Sequence, residues 1–156
     1  MTPQATEQTP QRSPLRAPLP GPVVFIDGAC LLCHRSVAFL ARRDRRGVLH
    51  FAPLQGELAA QWLPPASRDV GTEGAVAFLE PDRDDRTSVR SAAVLRILGR
   101  LGFGWALLGP LASIPGLSRL LDVPYRWIAR NRDRWFGRDD ACLVPSPELR
   151  ARFLEP

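Results

Sequence analysis

An α/β domain with the element order β-α-β-α-β-β-α and additional C-terminal helices is predicted from three features of the sequence. Short apolar, β-branched runs stop at turn residues, segments of helical period lie between them, and a polar stretch joins two late strand-like runs as a hairpin would. At 156 residues, with 45% hydrophobic side chains, the chain has the material for one sizeable core.

Val23-Val24-Phe25-Ile26 is the first strand, ended by Asp27-Gly28. Leu32, Ser36, Phe39 and Leu40 then recur at helical spacing, and Arg42, Arg43, Arg45 and Arg46 crowd the end, where cations complement the helix dipole. Val48 to Ala52 reads as a second strand before Pro53, and Leu54 to Leu63 as a helix stopped by Pro64-Pro65. A βαβ unit of this kind places its two strands parallel. Gly74 to Leu79 and Thr87-Ser88-Val89 flank the polar segment Glu80 to Arg86, and Ser91 to Leu101 follows as a helix with Ala92, Leu95 and Leu98 on one face. This is the element order of the thioredoxin fold. A Gly- and Pro-broken apolar stretch, Leu101 to Ser118, and a Trp- and Arg-rich helix from about Pro124 to Phe136 come after it.

The ends of the chain read differently. Residues 1–21 are rich in Pro, Gln, Thr and Ser and bury too little apolar surface to offset their ordering entropy, so a disordered tail is expected there. The folded domain is expected over residues 22–145, with a short C-terminal tail at 146–156. The N-terminal region lacks the apolar core and cleavage site of a secretory signal, which makes the cytoplasm the default expectation.

Charge and cysteine content narrow the function classes. The net charge is +5, and all 21 basic residues are Arg, a uniformity that reads as compositional bias rather than selection for phosphate binding. Three cysteines, Cys30, Cys33 and Cys142, are too few and odd in number for a disulfide framework. The close pair points instead to redox catalysis or a metal.

Two cysteines separated by two residues can close a disulfide across one helical turn. At the start of a helix, the leading sulfur lies near unpaired backbone N–H groups that stabilise a thiolate. Cys30 is therefore the expected nucleophile, and Cys33, one turn deeper, the thiol that resolves a mixed disulfide. Leu31 and Leu32 offer no charge to tune the pair, whereas His34 is a helix residue or a modest positive influence. Asp27 admits two roles that are not exclusive: capping the strand–helix junction, or accepting the Cys33 proton during resolution.

Two other chemistries compete for the cysteines. Cys30 to His34 has the spacing of covalent c-type haem attachment, which would need export and a second axial ligand from His50 or Met1. A zinc site could draw on Cys30, Cys33, Cys142 and His34 or His50, yet it lacks a second closely spaced pair. A buried or half-exposed thiol is the simpler reading of Cys142.

The segment from Val23 to Cys33, with its Asp-Gly-x-Cys-x-x-Cys ending, resembles the opening signature of the DCC family of predicted thiol-disulfide oxidoreductases. Phe51-Ala52-Pro53-Leu54-Gln55, Ser91-Ala92-Ala93-Val94-Leu95, and the stretch from Pro124 to Arg132 with Trp135-Phe136-Gly137 are similar to later segments of that family, and Cys142 falls where many members carry a cysteine. The resemblance covers about Pro22 to Pro145. It implies a thioredoxin-like fold with Asp27, Cys30 and Cys33 as its defining residues. Gly71-Thr72-Glu73-Gly74 precedes the third strand without the proline that ordinary thioredoxins carry there, which implies different substrate docking and a narrower partner range.

Two remaining features bear on partners. Arg126, Arg130, Arg132, Arg134 and Arg138 are interleaved with Trp127, Trp135 and Phe136 as in some nucleic-acid surfaces, but packing of the aromatics into the domain is the preferred reading, with the arginines in water or paired with Asp133, Asp139 and Asp140. The uncharged run between Arg100 and Arg119 is too broken by Gly and Pro for a stable membrane span, and is expected to form a buried helix pair on the sheet, with reversible attachment to a membrane surface as the weaker alternative. The sequence thus predicts a thiol-disulfide oxidoreductase that acts on a disulfide-bearing protein or small-molecule thiol, with an unidentified electron donor or acceptor; the alternative is a non-catalytic module in which the same cysteines hold zinc or simply pack and the Arg/Trp-rich helix serves a partner. It needs no bound cofactor or metal, and neither nucleic acid nor stable membrane insertion is expected.

Overall fold

The computed structural model describes residues 18–68, 76–138 and 146–155. Most of the N-terminal tail, the proline-free approach to the third strand, Asp139, Asp140 and Cys142 lie outside the described residues.

The chain forms a mixed α/β domain of the thioredoxin-like kind, around a four-stranded sheet ordered β2-β1-β3-β4. β1 (Val23–Ile26) is central, parallel to β2 (His50–Pro53) and antiparallel to β3 (Val76–Glu80), which pairs antiparallel with β4 (Arg86–Val89). All four residues of β1 are buried because both faces of the sheet are covered. Val24 and Ile26 point into a core shared with Cys33, Val37 and Leu40 of α1 (Leu31–Arg43) and Ala93 and Ile97 of α3 (Arg90–Arg100). Val23 and Phe25 point the other way, toward Ala59 of α2 (Glu57–Trp62) and Leu63. The period-two alternation of a strand thus produces two cores from one apolar run. Phe25, Phe51 and Phe78 are fully buried, each contributing about 1.5–3 kcal/mol of hydrophobic stabilisation.

The buried helix faces match the expected ones in part: Leu40 is buried, and Leu32 and Leu98 pack against the core from its margin. On α1 the buried face is Cys33, Val37 and Leu40, while Ser36 and Phe39 are exposed. On α3 it is Ser91, Ala93 and Ile97, with Ala92, Leu95 and Leu98 half-buried. Apolar spacing alone does not separate residues pointing at the sheet from those beside it.

The stretch expected to be a buried helix pair is instead a 3-10 turn, Phe103–Leu107, followed by α4 (Leu108–Leu111), with Leu107 and Ile114 exposed. The final long helix, α5 (Leu117–Phe136), starts seven residues before Pro124, so the proline lies inside the helix. Proline at that place leaves the Leu120 carbonyl without its backbone donor, tolerable where the carbonyl faces water. Asp122 on α5 accepts from both the backbone N–H (3.3 Å) and hydroxyl of Ser91, tying α5 to the first turn of α3.

The C-terminal residues return to the sheet. α6 (Pro147–Arg150) leads into a strand-like contact beside β2, in which Phe51 N–H donates to the Arg152 carbonyl (3.0 Å) and Leu154 N–H to the Phe51 carbonyl (2.9 Å). Arg152 pairs with buried Asp44 at 3.1 Å, and Phe153 packs on Phe51. These contacts cover an otherwise open edge of the sheet.

α3 and α4 approach through glycine. A Cβ on Gly99 would sit 2.7 Å from the Gly109 Cα, whereas one on Gly104 would meet nothing within 4 Å. Gly99→Ala is expected to lower stability by about 1–3 kcal/mol, seen as a lower urea midpoint at unchanged slope, while Gly104→Ala leaves the midpoint within about 0.5 kcal/mol of the parent.

Candidate active site

The turn between β1 and α1 holds Asp27, Cys30 and Cys33 together. The Cys30 N–H donates to the Asp27 carbonyl (3.2 Å), and Cys30 is the N-cap of α1 with extended backbone angles. No side-chain oxygen caps this helix. The first-turn amides are therefore available to the Cys30 sulfur.

Both cysteines are reduced and buried: Cys30 is 0% exposed and Cys33 8%. The Cys30 thiol is pulled down to about 6, chiefly by its hydrogen bond from Cys33. Burial opposes that shift, while the backbone N–H groups of Cys33 and Leu32 and the positive charge of Arg132 add to it. Cys33 moves strongly upward: its hydrogen bond to Cys30 leads, followed by burial and the proximity of the Cys30 charge. The two thiols are thus pushed in opposite directions, Cys30 toward its anion and Cys33 toward its protonated form.

Asp27 is fully buried and its carboxylate is fully engaged. Oδ1 accepts from Ala29 N–H (3.1 Å) and from the Gln55 amide (3.0 Å). Oδ2 accepts from the Arg132 guanidinium at 2.8 Å, and Arg138 lies 3.6 Å away. Asp27 satisfies one backbone donor of the strand–helix junction, the Ala29 N–H, without capping α1, and its ion pair is with α5. Arg132 is itself only 3% exposed, so the pair spans 105 residues of sequence inside the protein. A buried carboxylate needs such a partner.

Arg132 is the site residue that sequence reasoning missed as a tuning charge. It sat among the arginines expected in water or paired with nearby acids, and it does reach Asp133 at 3.7 Å. Its signal was the spacing Tyr125, Ala129, Arg132, which shares one helix face with the buried Ala129. The aromatics expected to be packed inward are the exposed ones, with Trp127 60% and Trp135 48% exposed and their rings edge-to-face at 4.9 Å. His34 turns from the thiols to the Gly28 carbonyl (2.8 Å), and His50 begins β2.

Two surfaces meet at the dithiol. Over Cys30, the backbone of Arg138 forms an isolated antiparallel bridge, and Gly137, at φ +83°, lies close against Leu31. On the other side, a largely apolar cavity of about 400 Å³ between α1, α3 and α5 reaches Cys33 and Arg132, lined also by Val37, Ile97, Tyr125 and Ile128. Leu32, Phe39 and Val94 also border it.

The Arg132 contribution predicts a titration. Because lowering a thiol's value favours its anion, Cys30 is mainly thiolate at neutral pH and takes up its proton as pH falls through about 6. In Arg132→Met the ultraviolet thiolate absorbance of the reduced protein should disappear at a higher pH than in the parent, with Arg132→Lys lying between the two. A midpoint unmoved by Arg132→Met contradicts the assigned cause.

Comparison with known proteins identifies the family. Residues 24–138 match the DCC1-like thiol-disulfide oxidoreductase family, a span that includes Asp27, both cysteines, Arg132 and Arg138. The uncharacterised protein YuxK of Bacillus subtilis (strain 168) is 32% identical over 135 residues, covering 86% of this chain and 95% of YuxK. No solved structure matches. The chain belongs to the DCC1-like thiol-disulfide oxidoreductase family.

Proposed function

We propose that the protein exchanges two electrons with a disulfide-bearing protein or small molecule through a Cys30/Cys33 dithiol–disulfide couple, with Cys30 as nucleophile. The observation that carries this reading is the opposed behaviour of the two thiols, Cys30 held down to about 6 and Cys33 held up. In the reductive direction, the Cys30 thiolate attacks one sulfur of the substrate disulfide, and the other sulfur leaves as a thiolate that takes a proton. The charge and hydrogen-bond acceptor that kept Cys33 protonated are then gone. Cys33 releases its proton and attacks the Cys30 sulfur, expelling the second substrate thiolate and closing the Cys30–Cys33 disulfide. An external thiol or dithiol donor restores the reduced state.

Asp27 acts here as a positioning residue. Its carboxylate fixes Arg132 beside the thiols, and the Ala29, Gln55 and Arg132 bonds occupy it. Substrate docking uses the cavity beside Cys33, which suits apolar groups flanking the reacting disulfide. Since Cys30 has no exposed surface, attack on a substrate requires the Gly137–Arg138 segment to move aside.

A lowered Cys30 value stabilises the reduced form and makes the disulfide more oxidising. The thiol lies between the reference values of about 7 for thioredoxin and about 3.5 for DsbA. The reduction potential is correspondingly expected between about −270 and −120 mV. Equilibration with glutathione should show one two-electron transition in that interval for the parent. Cys33→Ser should accumulate a mixed disulfide at Cys30, and Cys30→Ser should form none under the same conditions. Parent-like redox behaviour in both variants would exclude the couple.

A further inference from the structure

α5 has two apolar faces, and the fold uses one of them. Tyr125, Ala129 and Arg132 face the cavity and the dithiol. Leu120, Val123 and Trp127, at spacings of three and four, fall on the opposite side of the helix and are 68%, 68% and 60% exposed. Pro124 beside them is also exposed. A contiguous outward stripe of this size on an amphipathic helix is unusual for a surface that meets only water.

The charge pattern around the stripe has one sign. Arg119, Arg130 and Arg134 are exposed on α5, and the net charge of the chain is +5. Both acids of the helix are engaged elsewhere, Asp122 with Ser91 and Asp133 with Arg138. The segment leading into α5 has no charged residue from Leu101 to Ser118, and it exposes Leu107 (77%) and Ile114 (46%). No helix among the described residues is long and apolar enough to cross a membrane.

We propose that the outward face of α5 is a docking surface for an anionic lipid bilayer, lying in the interface with Leu120, Val123 and Trp127 among the acyl chains and arginines at the headgroups. Tryptophan has its preferred environment at that depth, where an apolar ring and a polar N–H are both accommodated. An in-plane helix needs apolar residues and basic residues within reach of one surface and no great length; on α5 the apolar Leu120, Val123 and Trp127 lie in line with Arg130 and Arg134, one and two turns further along the same face. Nucleic acid would account for the arginines but not for exposed Leu120, Val123, Leu107 and Ile114. A second copy of the chain would account for the apolar residues, but it would bring like-charged exposed arginines together. The inference stands independently of the redox reading.

The test is co-sedimentation of the full chain with vesicles of phosphatidylcholine alone and of phosphatidylcholine mixed with phosphatidylglycerol, read together with tryptophan emission. Binding to the anionic vesicles should be tighter than to neutral ones by roughly tenfold or more, with a blue shift of the emission. Leu120→Ser/Val123→Ser/Trp127→Ser should lose roughly tenfold or more of that binding while keeping the parent's glutathione equilibrium, which shows that it is folded. Arg119→Gln/Arg134→Gln should lose the preference for anionic vesicles. The proposal is overturned if the parent fails to bind anionic vesicles, or if the triple variant binds as well as the parent. It also fails if the parent is a dimer that the triple substitution dissociates, or if generic duplex DNA binds with the same dependence on Leu120, Val123 and Trp127.

Discussion

The buried pair between Asp27 and Arg132 joins the two parts of the chain that make the site. Asp27 belongs to the turn that carries the cysteines, and Arg132 to a helix that has only one other buried residue, Ala129. Two charges removed from water are tolerable only when each answers the other and the remaining hydrogen-bond positions are filled. Gln55 and Ala29 do the filling on the Asp27 side. The pair therefore sets where α5 crosses the cysteine turn, and with it the cavity beside Cys33 and the cover over Cys30.

The same arrangement sets the chemistry. The hydrogen bond from Cys33 does most to favour the Cys30 anion, first-turn amides and the positive charge of Arg132 add to it, and burial of the sulfur works against it. Cys30 is thus drawn toward its anion while having no exposed surface. Reactivity and access are thus governed by different parts of α5: Arg132 in its body tunes the sulfur, and the residues just beyond its end shield it.

Much of this was legible in the residues. The strand runs Val23 to Ile26 and Gly74 to Leu79 overlap β1 and β3 closely, because a short β-branched run bounded by turn residues has few alternatives. The dithiol was equally plain from Cys-x-x-Cys at a helix start. What local pattern could not supply was direction and distance. Leu95 and Leu98 looked like core positions, yet Ala93 and Ile97 face the sheet, since choosing the inward face requires knowing what lies across from it. Pro124 looked like a helix start but sits mid-helix, in a helix whose Asp122 is tied to Ser91 of α3. Arg132 was one arginine among many; its partner lies 105 residues earlier, and no periodicity reports a pairing of that range. The return of Arg152 to Leu154 onto β2 left no local signal either, because its bonds are made by backbone and by Asp44.

The most direct measurement is a double-mutant cycle on unfolding free energy with Asp27→Asn and Arg132→Met in the reduced protein. If the buried pair organises the site, each single substitution strands a partner inside the protein and costs about 3–5 kcal/mol, and the double variant recovers a large part of that loss, giving a coupling of at least about 2 kcal/mol. Single losses that add to within about 0.5 kcal/mol would mean that the two residues are energetically independent and that α5 is held in place by something else.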